Sequence, residues 1–250
     1  MDFEELLSHR EFFVEGMPNE HFLKKNELLW TSYTDGEVKL RIDHLCSQTP
    51  ITIHQIAMTS KRNGEWKNIT FAEYYSLSRK AAKSFLKMGL ERFHRVAILG
   101  FNSPEWFISA LRCMSVFALY RGIVTGIYTT NSPEACHYTV HDCRANIIVV
   151  ENQKQLDKIM QIWSLLPHLK AVMMYKDSLP EKCPNLYMME EFMDLGNEIT
   201  DAKLDEVINS QKPNQCCVLI YTSGTTGKPK GVMLIHDNVR TLEIPVWPRD

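Results

Sequence analysis

The chain has 250 residues, of which 44% are hydrophobic and 23% are charged, as is typical of globular proteins that bury an apolar core. Its 28 Lys and Arg residues nearly balance its 30 Asp and Glu residues. The formal charge of -2 at pH 7 excludes a broadly basic surface, so we expect no nucleic-acid partner. The acidic beginning MDFEELLSHR lacks the features of a secretory signal, and we expect a cytoplasmic protein.

Seven cysteines are scattered along the chain without a C-x-x-C pair, which predicts reduced and mostly buried thiols. Cys136, His137, His141 and Cys143 raise the alternative of a metal site, because residues four apart share one helix face. Cys143, however, lies far round a helix from Cys136. We therefore predict an ordinary helix in this segment and no metal site.

Short apolar runs alternate with helix-like segments between about residues 95 and 175, which is the pattern of βαβ units in a parallel sheet. Upstream, the apolar spacing in residues 68–90 predicts a helix that ends at Gly89. We expect this helix to cover one face of the sheet. In chain order, the following strands are predicted at 95–100, 122–128, 146–150 and 169–175, and helices at 103–120, 131–143 and 153–166. Residues 176–215 predict a connection with one or two short helices. The whole pattern favours a doubly wound α/β sheet.

The stretch TSGTTGKPK, residues 222–230, separates two further predicted strands at 216–221 and 231–235. Its glycines allow tight turns that bring backbone amides close to a ligand, while its hydroxyl and ammonium groups add donors. This set of donors suits phosphate oxygens. Pro229 opposes a following helix and breaks the Walker pattern G-x-x-x-x-G-K-[ST]. From composition alone, a plain Gly/Ser/Thr hairpin loop is the alternative.

The order of residues in TSGTTGKPK resembles the phosphate-binding signature of the adenylate-forming superfamily. Three other stretches resemble the bubblegum group of long-chain fatty acid–CoA ligases within that superfamily. They are NELLWTSYTDGEVKLRID, VAILGFNSPEWFISALRCMSVFAL and GIVTGIYTTNSPEACHYTVHDCRANIIVVENQKQLDKI. The resemblance implies an α/β fold, namely part of the N-terminal domain of the adenylate-forming fold, with a mostly parallel sheet and flanking helices.

For the loop, the resemblance implies a segment that binds the β- and γ-phosphates of ATP together with Mg²⁺. The segment consists of Thr222, Ser223, Gly224, Thr225, Thr226, Gly227, Lys228, Pro229 and Lys230. Within it, we expect Lys230 and Thr226 to contribute most. A histidine often follows this signature in the family, so His236 is a catalytic candidate that would approach the acyl carboxylate. The alternative is a structural histidine at the end of a strand.

The resemblance further implies a two-step reaction. A long-chain fatty acid and ATP give an acyl-adenylate and pyrophosphate, and CoA then displaces AMP to form the thioester. The expected partners are therefore the fatty acid, ATP and CoA. Ligases of this type also lead us to expect peripheral contact with a membrane, that of the endoplasmic reticulum.

Three regions are predicted: residues 1–67 as an N-terminal extension with the start of the AMP-binding domain, 68–238 as an incomplete AMP-binding N-terminal domain, and 239–250 as a divergent tail. Family enzymes continue with an adenine site and a mobile C-terminal domain that bears a catalytic lysine. We therefore expect a C-terminally truncated product with little activity alone, since catalysis needs these groups to converge. The alternative is a non-catalytic fragment that binds a nucleotide or a partner.

Overall fold

A computed structural model describes residues 54–62, 64–90, 94–116, 123–179, 183–209, 215–222, 227–236 and 238. The elements in chain order are β1 (Ile56–Arg62), β2 (Glu65–Thr70), α1 (Phe71–Lys87), β3 (Arg95–Leu99), α2 (Pro104–Val116), β4 (Ile123–Ile127), α3 (Pro133–Asp142), β5 (Ala145–Val150), α4 (Gln153–Ile162), β6 (Ala171–Met174), β7 (Leu186–Met188), α5 (Met189–Leu195), α6 (Asp201–Asn209), β8 (Cys216–Thr222) and β9 (Lys230–Ile235). Short 3-10 turns follow α4 and α5 at Trp163–Leu165 and Gly196–Glu198.

The main sheet has seven strands in the order β7-β6-β5-β3-β4-β8-β9. Neighbouring strands are parallel from β7 to β8, and β9 runs antiparallel to β8. Every residue of β3, β5 and β6 is buried, as expected for strands in a parallel sheet with both faces covered. The prediction of a mostly parallel α/β fold is confirmed.

Two apolar clusters cover the two faces of this sheet. Side chains alternate along β3, so that Val96 and Ile98 contribute to one cluster while Ala97 and Leu99 contribute to the other. The first cluster contains residues of α1, α2, α5 and α6, and the second contains residues of α3 and α4. The helices therefore form two layers with the sheet between them.

The chain reverses direction across the sheet after β4. Helix α2 leads from β3 to its neighbour β4 on one face, whereas α3 leads from β4 back past β3 to β5 on the other face. In open α/β sheets, ligands bind at the carboxyl ends of strands at such a point of reversal. The loop that follows β8 lies at this edge, since β8 is parallel to β4 and next to it.

The predicted helix over residues 68–90 begins later than expected, at Phe71. Residues 68–70 instead end β2, which pairs with β1 in a separate two-stranded sheet that the sequence did not predict. Thr70 and Glu73 form a reciprocal capping box, in which each residue accepts a hydrogen bond from the backbone N–H of the other. Gly89 follows the helix with φ +64°, which confirms the predicted stop signal.

The repeated sequence Ser-Pro-Glu begins α2 and α3 in the same way. Ser103 accepts a hydrogen bond from the backbone N–H of Trp106 at 3.2 Å, and Ser132 accepts one from Ala135 at 3.3 Å. Both serines thus satisfy donors that a helix start leaves unpaired. Over the described ranges, no helix is both long enough and apolar enough to cross a membrane.

Candidate functional site

The candidate site is the loop that joins β8 to β9. Thr222 at the end of β8 pairs with Lys230 at the start of β9, and Tyr221 pairs with Gly231. The loop therefore returns into the sheet and not into a helix, which confirms the predicted strands on both sides. Predicted site residues Ser223, Gly224, Thr225 and Thr226 lie outside the described residues.

The described second half of the loop is exposed and cationic. Gly227 has φ +101°, in the region that favours glycine, so the predicted tight turn is present at this position. Lys228, Pro229 and Lys230 follow it, and all three are exposed. This arm of the loop presents two ammonium groups to solvent at the carboxyl edge of the sheet.

Tyr138 on α3 holds this arm of the loop. Its hydroxyl donates a hydrogen bond to the carbonyl oxygen of Pro229 at 2.8 Å. The ammonium of Lys228 lies 5.3 Å from the centre of the Tyr138 ring, within the range of a cation–π contact. One aromatic side chain therefore fixes both the backbone of this arm and the direction of one of its cations.

Tyr221 holds the other arm, directly before the loop. Its hydroxyl donates to a carboxylate oxygen of Asp142 at 2.5 Å, and its ring lies edge-on to the Tyr138 ring with centres 6.5 Å apart. A Cβ at Gly231 would lie 3.2 Å from the Tyr221 ring, so glycine leaves the room that this ring occupies. Burial, reinforced by negative charge at Cys143 and Asp142, raises the pKa of Tyr221 well above its usual range.

A groove of about 720 Å³ separates α3 from the loop arm, and it carries charges of both signs, including Glu134, Asp142 and Lys228. A lysine of α4 holds the neighbouring turn that follows β4. The Lys158 ammonium donates hydrogen bonds to the carbonyl oxygens of Thr129 at 2.8 Å and Asn131 at 2.9 Å. Helices α3 and α4 thus determine the shape of this edge through polar side chains.

The four residues considered as metal ligands point in different directions. Cys136 and Cys143 are buried in the apolar cluster, and burial raises their pKa values to about 11 and about 12. The rings of His137 and His141 lie 5.5 Å apart, and both residues line the groove. In the described ranges, no group of three or more His, Cys, Asp or Glu side chains could hold a metal ion.

His236 is not brought together with the loop. It directly follows β9, and its backbone N–H donates to the carbonyl oxygen of Gln215, at the amino end of β8. The loop lies at the carboxyl end of the same strand, roughly 20 Å away at 3.3 Å per residue. Removal from water lowers the pKa of this partly buried histidine to about 4, so the ring is neutral at pH 7. A catalytic role for His236 stays a prediction.

Sequence reasoning missed Tyr138 and Asp142. The signal that could have found them is their spacing of four residues, which places both on one face of α3. That spacing predicts a shared face but not the element that packs against it. The contact with the loop arises from the return of α3 across the sheet, which the sequence pattern does not specify.

Comparison with known proteins gives a consistent result over most of the chain. The sequence profile of the AMP-binding enzymes matches residues 46–247. The long-chain-fatty-acid–CoA ligase ACSBG1 of Bos taurus is 60% identical over 225 residues, which is 85% of this chain and 30% of that protein. The corresponding ligase ACSBG2 of Xenopus laevis is 56% identical over 84% of this chain. The chain thus spans about a third of the length of these relatives.

Solved structures show the same fold at low sequence identity. The anthranilate–CoA ligase AuaEII in complex with anthranoyl-AMP has a TM-score of 0.66 at 22% identity, covering 80% of this chain and 35% of that one. Apo MatB from Rhodopseudomonas palustris has a TM-score of 0.60 at 20% identity, with the same coverage.

Proposed function

Since the chain belongs to the family of AMP-binding enzymes, we propose that it carries the phosphate-binding part of a long-chain fatty acid–CoA ligase. The substrates in this proposal are a long-chain fatty acid, ATP and CoA. They are suggested by the names of relatives that are up to 60% identical to this chain. The proposed binding segment for ATP is residues 222–230.

The observation that carries the proposal is the loop arm itself. Lys228 and Lys230 are exposed on either side of Pro229, beside a turn at Gly227, at the edge of the sheet where α/β proteins bind ligands. Ammonium groups and exposed amides suit phosphate oxygens, whose charge is spread over several acceptors. The arm is also held on α3, so its cations need less ordering when a ligand binds.

In the proposed first step, a carboxylate oxygen of the fatty acid attacks the α-phosphorus of ATP. The bond from the α-phosphorus to the bridging oxygen breaks, and pyrophosphate leaves with the electron pair. Lys228 and Lys230 would neutralise the charge that grows on this leaving group, which lowers the barrier by electrostatic stabilisation. In the second step, the CoA thiol loses its proton and attacks the acyl carbon, and AMP leaves.

We propose that Mg²⁺ arrives with ATP. Mg²⁺ commonly binds through substrate phosphates and keeps several water ligands, so it does not need a cage of protein carboxylates. This fits the described residues, which hold no group of three acidic, histidine or cysteine ligands. When bound, the ion would supply charge neutralisation at the phosphates. The hydroxyl of Thr222, exposed at the end of β8, is an oxygen that would be available to hold the ion.

Binding can be tested by titration of the chain with MgATP and with inorganic pyrophosphate. We expect Lys228→Met and Lys230→Met each to weaken pyrophosphate binding about tenfold or more, since each removes a charge-assisted contact. Lys203→Met is the matched control, because Lys203 pairs with Glu206 on α6 and lies away from the loop. Equal affinity in all three variants, or no binding by the unaltered chain, would refute the proposed site.

Catalysis needs a separate test, because binding of pyrophosphate does not show turnover. Exchange of labelled pyrophosphate into ATP, with and without a long-chain fatty acid, measures the first step. Dependence of the exchange on the fatty acid supports ligase chemistry in this chain. Binding without exchange instead supports a nucleotide-binding fragment.

We also propose that residues 68–238 form an incomplete AMP-binding N-terminal domain, with 1–67 as an N-terminal extension and the start of that domain, and 239–250 as a divergent tail. A cytoplasmic location is consistent with the described cysteines, which are all free thiols. Limited proteolysis tests the boundary at residue 238, where cleavage should concentrate. Lys67 lies within the paired strand β2 and should be protected. Protection across residue 238 would contradict that boundary.

Peripheral contact with the endoplasmic reticulum membrane is proposed through the β1–β2 hairpin. Its Trp66 is 68% exposed, and the exposed Lys61 across the hairpin places its ammonium 5.8 Å from the Trp66 ring centre, a combination suited to the interface of an anionic bilayer. Sedimentation with vesicles that contain phosphatidylserine should show binding that Trp66→Ala reduces. Tyr128→Ala is the control at another exposed aromatic residue, which follows β4 and lies away from the hairpin. Unchanged sedimentation of Trp66→Ala would exclude the hairpin as the contact.

A further inference from the structure

We propose that helix α3 fixes the position of the phosphate loop at the carboxyl edge of the sheet, with Tyr138 and Asp142 as positioning residues. This inference rests on the proposed function of the loop. It adds two side chains that belong neither to the loop nor to its signature. Their role is to hold the loop, and neither is proposed to touch the nucleotide.

Both arms attach to the same face of one helix. Tyr138 and Asp142 are four residues apart on α3, so their side chains project side by side. Asp142 accepts the hydrogen bond of Tyr221, directly before the loop, and Tyr138 donates to Pro229 near its end. The pairing of β8 with β9 sets the separation of the two arms, and the two contacts with α3 fix where the paired arms lie.

The two attachment points also contact each other. The rings of Tyr138 and Tyr221 lie edge to face at 84°, with centres 6.5 Å apart, and the Tyr221 ring fills the space above Gly231. Movement of either arm would disturb the other through these rings. Tyr138, Tyr221 and Asp142 thus form one connected anchor.

The helix that carries the anchor is itself fixed in the core. Its opposite face buries Cys136 and Val140 in the apolar cluster, and Ser132 caps its first turn. A buried helix face has little freedom to shift without loss of packing. The described arm of the loop can therefore take its position from α3.

The contact between Lys228 and Tyr138 links this anchor to ligand binding. A lysine side chain loses considerable rotamer freedom when it binds a phosphate, and contact with the Tyr138 ring restricts that freedom in advance. We therefore expect loss of the Tyr138 ring to weaken pyrophosphate binding about three- to tenfold. The effect should require Lys228, because the ring acts through it.

Three substitutions separate the contacts. Tyr138→Phe removes the hydroxyl but keeps the ring, Tyr138→Leu removes both, and Asp142→Asn keeps an acceptor for Tyr221 without the charge. Tyr187→Phe is the matched control, since Tyr187 lies on β7 and packs on Phe192 at the far side of the sheet. Thermal melts of all variants should stay close to that of this control, which shows that they fold.

The first measurement is hydrogen exchange of the peptide over residues 227–236, which needs no ligand. Tyr138→Phe and Tyr138→Leu should speed exchange in this peptide, while Tyr187→Phe should not. Asp142→Asn should have a smaller effect, because the amide oxygen still accepts the Tyr221 hydroxyl. Unchanged exchange in Tyr138→Leu overturns the proposal, even if the chain binds no nucleotide at all.

The second measurement is a double-mutant cycle with Lys228→Met, read out by affinity for inorganic pyrophosphate. Lys228→Met should weaken binding less in the Tyr138→Leu background than in the unaltered chain. Tyr138→Phe should preserve most of the coupling, because the ring remains. Equal effects in both backgrounds overturn the positioning role. Absence of pyrophosphate binding in the unaltered chain refutes the proposed function, and hydrogen exchange then still decides the anchor.

Discussion

The two helix layers use their polar side chains differently. On one face, α1 carries Arg79, Lys80 and Lys83, which form ion pairs with carboxylates on the neighbouring helices α5 and α6. On the other face, Tyr138 of α3 and Lys158 of α4 donate to backbone carbonyls of loops at the carboxyl edge. The first set joins helices to each other, and the second set joins helices to the candidate site.

This difference separates stability from positioning within one sheet. Ion pairs between exposed helices contribute little energy each and are screened by salt. The hydrogen bonds of the other layer, a neutral one from Tyr138 and charge-assisted ones from Lys158, end on loop carbonyls and so fix where those loops lie. We therefore expect substitutions in the α1 layer to change unfolding alone, and substitutions at Tyr138 or Lys158 to change the loops.

The largest expected effect is at Gly196, which ends α5 against α1. A Cβ there would lie 2.7 Å from the backbone nitrogen of Ser84, which cannot move without α1. Gly196→Ala should lower the free energy of unfolding by about 2–3 kcal/mol, measured by urea denaturation. Gly126→Ala on β4 is the control, since no atom lies within 4 Å of its added Cβ. Equal losses in both variants would mean that packing between α1 and α5 is not tight.

His236 lies at the end of the β8–β9 hairpin opposite the candidate loop, and we expect it to affect stability and not ligand binding. Its folded-state pKa of about 4 lies below the ordinary value of 6.5, so the unfolded chain takes up the proton first as pH falls. Stability should therefore drop from about pH 6.5 towards pH 4, by about 1–2 kcal/mol at pH 5. His236→Gln should remove this part of the pH dependence while pyrophosphate affinity at pH 7 stays unchanged. A large loss of affinity in that variant would instead support a role at the site.

Much of the fold follows from local sequence. The apolar run at 146–150 and the Ser-Pro-Glu signals predicted a buried strand and two helix starts at nearly the observed positions. Strands β1 and β2 escaped prediction because their residues are mostly exposed and polar, so they lack a clear apolar alternation. The loop residues were found from an ordered motif, whereas Tyr138 depends on which elements become neighbours across the sheet, and no local pattern encodes that.

A smaller effect is expected at Tyr221, where the α3 layer meets the sheet. Tyr221→Phe removes the hydrogen bond to Asp142, whose carboxylate stays solvated, and should cost about 1 kcal/mol. Because the folded-state pKa of Tyr221 is raised, the unfolded chain loses the phenol proton first, and stability should fall above about pH 10. Tyr221→Phe should remove that part of the alkaline loss. Denaturation curves between pH 7 and 11 test both effects. Tyr187→Phe is the control, and it should retain the loss of stability above about pH 10.

The smallest effect is expected at Arg79, in the α1 layer. Its side chain is only 16% exposed, but its partners Asp201 and Asp205 are 68% and 50% exposed, so water screens both pairs. Arg79→Gln should therefore lower the free energy of unfolding by about 0.5 kcal/mol, and less in 0.5 M salt than at low salt. Lys203→Gln, in a pair within α6 whose side chains are 52% and 61% exposed, should change it still less. A loss at Arg79 that matches Gly196→Ala and does not respond to salt would show that ion pairs, and not close helix packing, stabilise this face.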